Sequence, residues 1–189
     1  MIVAFSTSSP RVSVALVDPS GSVIAVASQD AAMKASGTCL DLLGNLLDAH
    51  QRSLGDATGF VADLGPGSFT GVKVGVTLAK TMAFLGHVPC AGVESFDLIH
   101  PKGAAAIPSK RTEFLVREDD GNLKVVSAPD LAPGIPGYGA AYSEPTYPNL
   151  AHLANLVTGL DWMQPELLVP RYILEPSIST PKRPMEQRA

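Results

Sequence analysis

The chain has 189 residues, 46% hydrophobic and 17% charged, with 18 acidic against 14 basic side chains and a net charge of −4. That length suits one large domain or two small lobes around a buried core. The acidic balance excludes a generally basic coat for nucleic acid, though not a local patch, and no apolar run reaches the ~18 residues of a membrane span.

Met1-Ile-Val-Ala-Phe lacks the basic leader of a signal peptide and reads directly as a strand. Ile2–Phe5, Arg11–Val17 and Ser22–Ala27 are short Val-rich runs split by Ser8-Ser9-Pro10 and Asp18-Pro19-Ser20-Gly21. Links this short make the three strands antiparallel neighbours, because a parallel crossover needs a dozen or more residues. From Thr38 to Leu54 the period changes: Cys39, Leu40, Leu42, Leu43, Leu46, Leu47 and Leu54 fall on one side of a helix, opposite Asp41, Asn45, Asp48 and Arg52. Thr38 and Asp41 fit a capping pair at its start, and Gly55 ends it.

Gly59–Leu64 reads as a strand, Gly65-Pro-Gly-Ser-Phe-Thr-Gly as a turn, Thr70–Leu85 as a second helix, Val88–Val93 as a strand and Glu94–Ile99 as a helical turn. This order is the layout of a ribonuclease-H-like half, an antiparallel meander continued by parallel crossovers. On the second helix Gly71, Gly75, Ala79 and Ala83 form a smooth ridge. Val74, Val76, Leu78, Met82 and Leu85 widen the apolar arc, and Phe84 projects among Lys73, Thr77, Lys80 and Thr81. Beyond Pro101, Gly103–Ile107, Glu113–Arg117 and Leu123–Val126 suggest a second meander, Ile135–Tyr142 a Gly-rich loop, and Asn149–Gly159 a helix. The lobes expected are residues 1–100 and 101–174, followed by a flexible tail at 175–189 with Pro176, Pro181 and Pro184.

Glycines between a strand and a helix permit a tight turn and a close backbone approach, and a helix start offers N–H groups to an anion. Gly65, Gly67, Ser68, Thr70 and Gly71 are therefore candidates for a nucleotide or anion site, with a purely structural turn as the alternative. The segment lacks the Gly-Lys-Ser/Thr ending of a Walker A loop. His50, His87, His100 and His152 contain no pair at metal-site spacing, and Cys39 and Cys90 form no CxxC. The two cysteines read as buried thiols in a reducing cytoplasm. Asp63 is either functional or a turn residue, Asp119 and Asp120 precede a Gly-Asn turn, and Lys110 and Arg111 read as a solvated pair. Ser68 has no neighbouring activator in sequence. No catalytic residue, metal or cofactor is assigned.

Asp63-Leu-Gly-Pro-Gly-Ser-Phe-Thr-Gly-Val-Lys-Val-Gly-Val, with Ala79-Lys80 and Ala83-Phe84, resembles the signature of the bacterial TsaB (YeaZ) family. Ile2–Ser9, Val12–Leu16 and Pro89–Phe96 are similar to its neighbouring strands, and the resemblance thins beyond about residue 100. It implies an α/β fold of the actin-like ATPase superfamily, two ribonuclease-H-like lobes with the second shortened. The implied role is that of a non-catalytic partner of a TsaD-like transferase in making N6-threonylcarbamoyladenosine on tRNA. A TsaE-like ATPase joins the assembly, tRNA is met only through the complex, and the chain alone forms a homodimer in the cytoplasm. Family members usually carry Asp where this chain has Ser6, which weakens a nucleotide-hydrolysis reading. The docking surface is expected on the two helices, at Leu42, Leu46, Val72, Gly75, Val76, Ala79, Lys80 and Phe84. The competing readings are a small actin-fold phosphotransferase or hydrolase and a self-associating orphan.

Overall fold

Ile2–Ser6 (β1) is buried along its whole length because it lies at the centre of a sheet covered on both faces. The computed structural model describes residues 1–31 and 34–173; the 175–189 tail lies outside them, as do residue 174 and residues 32–33. β1 pairs antiparallel with Arg11–Val17 (β2), which pairs antiparallel with Val23–Asp30 (β3). On its other side β1 runs parallel to Gly59–Asp63 (β4), itself parallel to Cys90–Val93 (β5). The order β3-β2-β1-β4-β5 is the expected meander followed by two crossovers. Those crossovers run through Ala35–Ala49 (α1) and Phe69–Gly86 (α2).

Alternation along the strands divides the core. Val3, Phe5, Val14, Leu16, Phe60 and Ala62 face α1 and α2. Ile2, Ala4, Ala15, Val17, Val61 and Ala91 face the opposite layer, where Leu98 of Ser95–Ile99 (α3) meets Leu150, Leu153 and Val157. The segment Asn149–Gly159 is not the α-helix its sequence suggests. It forms two 3₁₀ stretches, Leu150–Asn155 and Val157–Gly159. Leu150 and Leu153 stand at i and i+3, a spacing that shares one face in either helix type.

The first helix is also corrected. It begins at Ala35, and the Thr38 N–H bonds to the Lys34 carbonyl at 3.0 Å, so Thr38 lies inside the first turn and caps nothing. The helix stops at Ala49; Leu54 belongs to a separate 3₁₀ turn, Leu54–Asp56, closed by a Ser53–Asp56 capping box. Leu40 and Leu54, placed on the apolar arc by spacing, are both exposed.

Ala105–Lys110 (β6), Glu113–Arg117 (β7) and Leu123–Ser127 (β8) form the second meander. Asp120 accepts from the Asn122 N–H in its turn. Arg117 fastens this sheet to α3. Its guanidinium pairs with Asp97 at 2.5 Å, donates to the His100 and Gly103 carbonyls, and lies over the Phe96 ring.

Candidate functional site

Asp63 ends β4 with its carboxylate completely buried. Four donors converge on it. The hydroxyls of Ser6 and Ser8 donate to Oδ2 at 2.7 and 2.6 Å, while the Ser95 hydroxyl and the Gly65 N–H donate to Oδ1 at 2.5 and 2.9 Å. Burial pushes its pKa above the ordinary carboxylate value, and the four hydrogen bonds pull the other way. This carboxylate is a knot joining the end of β1, the loop after it, the glycine loop and the start of α3. Ser8 and Ser95, which come from distant segments, carry no spacing signal that would connect them to Asp63 in the sequence. Nearby, burial and the Asp63 charge both raise the Tyr138 phenol, whose hydroxyl donates to the Ser8 carbonyl at 3.3 Å.

The glycine loop is shaped by proximity to the β1–β2 turn. A Cβ at Gly71 would lie 2.0 Å from the Thr7 carbonyl oxygen, and one at Gly67 2.3 Å from that of Ser8. Thr7 Oγ1 donates to the Gly71 carbonyl at 2.7 Å and accepts from the Gly75 N–H at 3.0 Å, so one hydroxyl engages both ends of a turn of α2. The ridge read from the sequence thus meets the chain's own first strand. Ser68 Oγ accepts from the Gly71 N–H at 3.2 Å as the helix cap, and Ser68 N–H bonds to the Ser8 carbonyl. Thr70 is exposed on the first turn, outside this contact. Gly65 holds a positive φ of 92°. The five candidates lie at one junction, Gly65, Gly67 and Ser68 before α2 and Thr70 and Gly71 in its first turn, with close packing and capping as the roles visible there.

Six of the expected docking residues, Leu42, Leu46, Val72, Gly75, Val76 and Ala79, are buried within the protein itself. Their side chains, or for Gly75 its backbone, meet the sheet, because one helix layer must cover a whole sheet face. Lys80 is half-buried, donating to the Glu166 and Leu168 carbonyls at 3.2 and 2.9 Å. Phe84 remains 60% exposed, as its position among polar residues implies. Leu85, expected on the apolar arc, is 72% exposed in the last turn before His87 reverses the chain in a left-handed conformation.

Lys80 holds a strap that the sequence reading missed. In it Leu168 enters the core while Leu167 and Val169, on either side, are exposed. Further along, Tyr172 stacks on Phe69 with ring centroids 4.9 Å apart. The outward surface of α2 therefore carries Phe84, Leu167, Val169 and the Phe69–Tyr172 pair beside lysines. Burial pushes the Cys39 thiol up to about 12 and raises Cys90 as well. Among the described residues, no three His, Cys, Asp or Glu side chains gather as a metal site, and no helix is long and apolar enough to cross a membrane.

The sheet order, with helices in both parallel crossovers and a second small sheet, is that of the actin-like ATPase fold. Within that class the chain resembles TsaB (YeaZ) proteins. The tRNA threonylcarbamoyladenosine biosynthesis protein TsaB of Bacillus subtilis (strain 168) is 44% identical over 48 residues, a match spanning 25% of this chain and 21% of that relative. A family model described as TsaD, tRNA N6-adenosine threonylcarbamoyltransferase, matches residues 24–113. YeaZ from Pseudomonas aeruginosa superposes with a TM-score of 0.70 at 19% identity, covering 91% of this chain and 99% of that one. A crystal structure of a protein with similarity to peptidase YeaZ from Pseudomonas aeruginosa gives 0.71 at 19% identity, covering 92% and 99%.

Proposed function

We propose that this chain is a non-catalytic subunit that docks a TsaD-like transferase during threonylcarbamoyladenosine synthesis on tRNA. The observation that carries the reading is the 44% identity to a TsaB protein, within a fold shared over nearly the whole chain with YeaZ. The site chemistry supports it. Both oxygens of Asp63 are engaged by internal donors, Ser6 supplies a hydroxyl where a second carboxylate would favour a magnesium ion, and Ser68 serves as a cap. In this reading residues 1–100 form the ribonuclease-H-like lobe and 101–174 a smaller lobe. A TsaE-like ATPase and tRNA join through the complex in the cytoplasm, and the free chain pairs with itself.

The docking surface moves from the buried helix arc to Phe84 on α2 and to Leu167 and Val169 on the strap beside it, because an interface is built from side chains the fold leaves outside. An interface of roughly 1,200–2,000 Å² is expected. The test is co-purification and titration with a TsaD-like protein from the same organism. Phe84→Ala and Leu167→Ser should leave the melting temperature nearly unchanged and weaken docking by about 1 kcal/mol or more each. Absence of a complex with the unmodified chain would overturn the reading. ATP hydrolysis that survives repurification and is lost in Ser6→Ala would overturn its non-catalytic part.

A further inference from the structure

A cavity of about 850 Å³ opens between the glycine loop, β6 and the loop around Tyr138–Tyr147. That volume lies within the range of small-molecule sites, roughly 300–1,000 Å³. Five aromatic rings line it, from Phe69, Tyr138, Tyr142, Tyr147 and Tyr172. Four of them form two tilted pairs: Tyr138 with Tyr147 at 5.3 Å between centroids, and Phe69 with Tyr172 at 4.9 Å. In a chain of net charge −4, the charged residues lining the cavity among the described residues are both cationic, Lys110 and Arg171.

Acids meet those cations from outside the lining. Glu113 pairs with Lys110, and Glu94 with Nη1 of Arg171. Exposed pairs of this kind are weak, and Glu94 engages one of the guanidinium's five N–H donors. The wall also holds unsatisfied polarity. Ser109 Oγ and the Tyr142 hydroxyl, from two residues of the wall, are buried without a hydrogen-bond partner, closed off from the open space itself.

We propose that this cleft binds a small anion carrying a flat ring system, stacked against the tyrosines with its negative group toward Arg171. Nucleoside monophosphates and aromatic acids belong to that class. A metal-held polyphosphate does not fit, because Asp63 has both oxygens occupied and Ser6 adds no carboxylate. The inference rests on the cleft alone and is independent of the docking reading.

The test titrates the intact chain with 1-anilinonaphthalene-8-sulfonate, a ring anion, and with N-phenyl-1-naphthylamine, its uncharged counterpart. Saturable binding of the sulfonate at one site per chain is expected, weakened about tenfold or more when Ser143→Trp fills the exposed rim. Arg171→Ala should weaken the sulfonate by about tenfold, the scale of one charge-assisted hydrogen bond, and leave the uncharged probe unchanged. Circular dichroism melts establish that each variant is folded; should Ser143→Trp fail to fold, Arg171→Ala with the two probes decides. Sulfonate binding that is unsaturable, unmoved by Arg171→Ala or abolished by Phe84→Ala on the α2 surface would overturn the proposal.

Discussion

Asp63→Ala should destabilise the chain by several kcal/mol, at about 1–3 kcal/mol for a buried polar group left unsatisfied. The substitution leaves the hydroxyls of Ser6, Ser8 and Ser95 and the Gly65 N–H without their shared acceptor, and each buried orphan carries a desolvation penalty of its own. A urea unfolding midpoint that falls sharply at constant slope would be the signature. Asp63→Asn is a different experiment. Its amide oxygen can still accept from Ser95 and Gly65, and its NH₂ can donate to the oxygens of Ser6 and Ser8, because hydroxyls serve in either role.

The asparagine variant also isolates the charge. Burial raises the folded-state pKa of Asp63 above its ordinary value of 3.8. A raised carboxylate contributes stability that is fully present below that ordinary value and is lost as pH rises toward the folded pKa. Stability of the unmodified chain should therefore decline over the interval beginning near pH 3.8, and Asp63→Asn should remove that part of the slope. An unchanged slope in Asp63→Asn would mean that Asp63 does not titrate differently on folding.

The five-stranded sheet was legible because its signals are local. Val-rich alternation in β1 to β3, links too short for a crossover, and a change of period from Thr38 onward suffice for its layout. The Gly65–Gly71 turn and the length of α2 were legible for the same reason. The start of α1 was not, because Thr38 and Asp41 imitate a cap while the helix begins at Ala35, after Lys34, which makes no side-chain cap hydrogen bond. Asn149–Gly159 was misread because an i, i+3 repeat does not separate an α-helix from a 3₁₀ helix.

The site divides in the same way. Asp63 and the glycines could be singled out from one segment, but their partners are tertiary. Thr7, Ser8 and Ser95 reach them across the tops of β1 and β4, and the strap holding Leu167 and Val169 returns through Lys80, 86 and 88 residues away from its two carbonyl partners. The apolar arc of α2 was correctly seen as apolar, and the fold turns Val72, Gly75, Val76 and Ala79 of it inward. Periodicity reports that a face is buried, and only the fold reports against what.

Gly71→Ala and Gly44→Ala make the same chemical change on the two long helices and should move stability in opposite directions. At Gly71 the new methyl would lie 2.0 Å from the Thr7 carbonyl oxygen, a backbone atom with no rotamer to change. Helix α2 would have to lift from β1, weakening the Thr7 hydroxyl's contacts with Gly71 and Gly75. A loss of about 3 kcal/mol is expected, at the upper end of ordinary overpacking. At Gly44 a Cβ meets nothing within 4 Å, so alanine should stabilise α1 by about 0.5–1 kcal/mol through its lower conformational entropy cost. Parallel thermal melts and urea titrations would read both. A Gly71→Ala chain as stable as the original would mean that α2 and Thr7 are not in this close contact. Gly37 has equally open space and lies two helical turns from Gly44 on α1. If Gly44→Ala gains stability yet loses affinity for the TsaD-like protein, the docking surface extends from α2 across that smooth stripe; unchanged affinity would confine it to α2 and the strap.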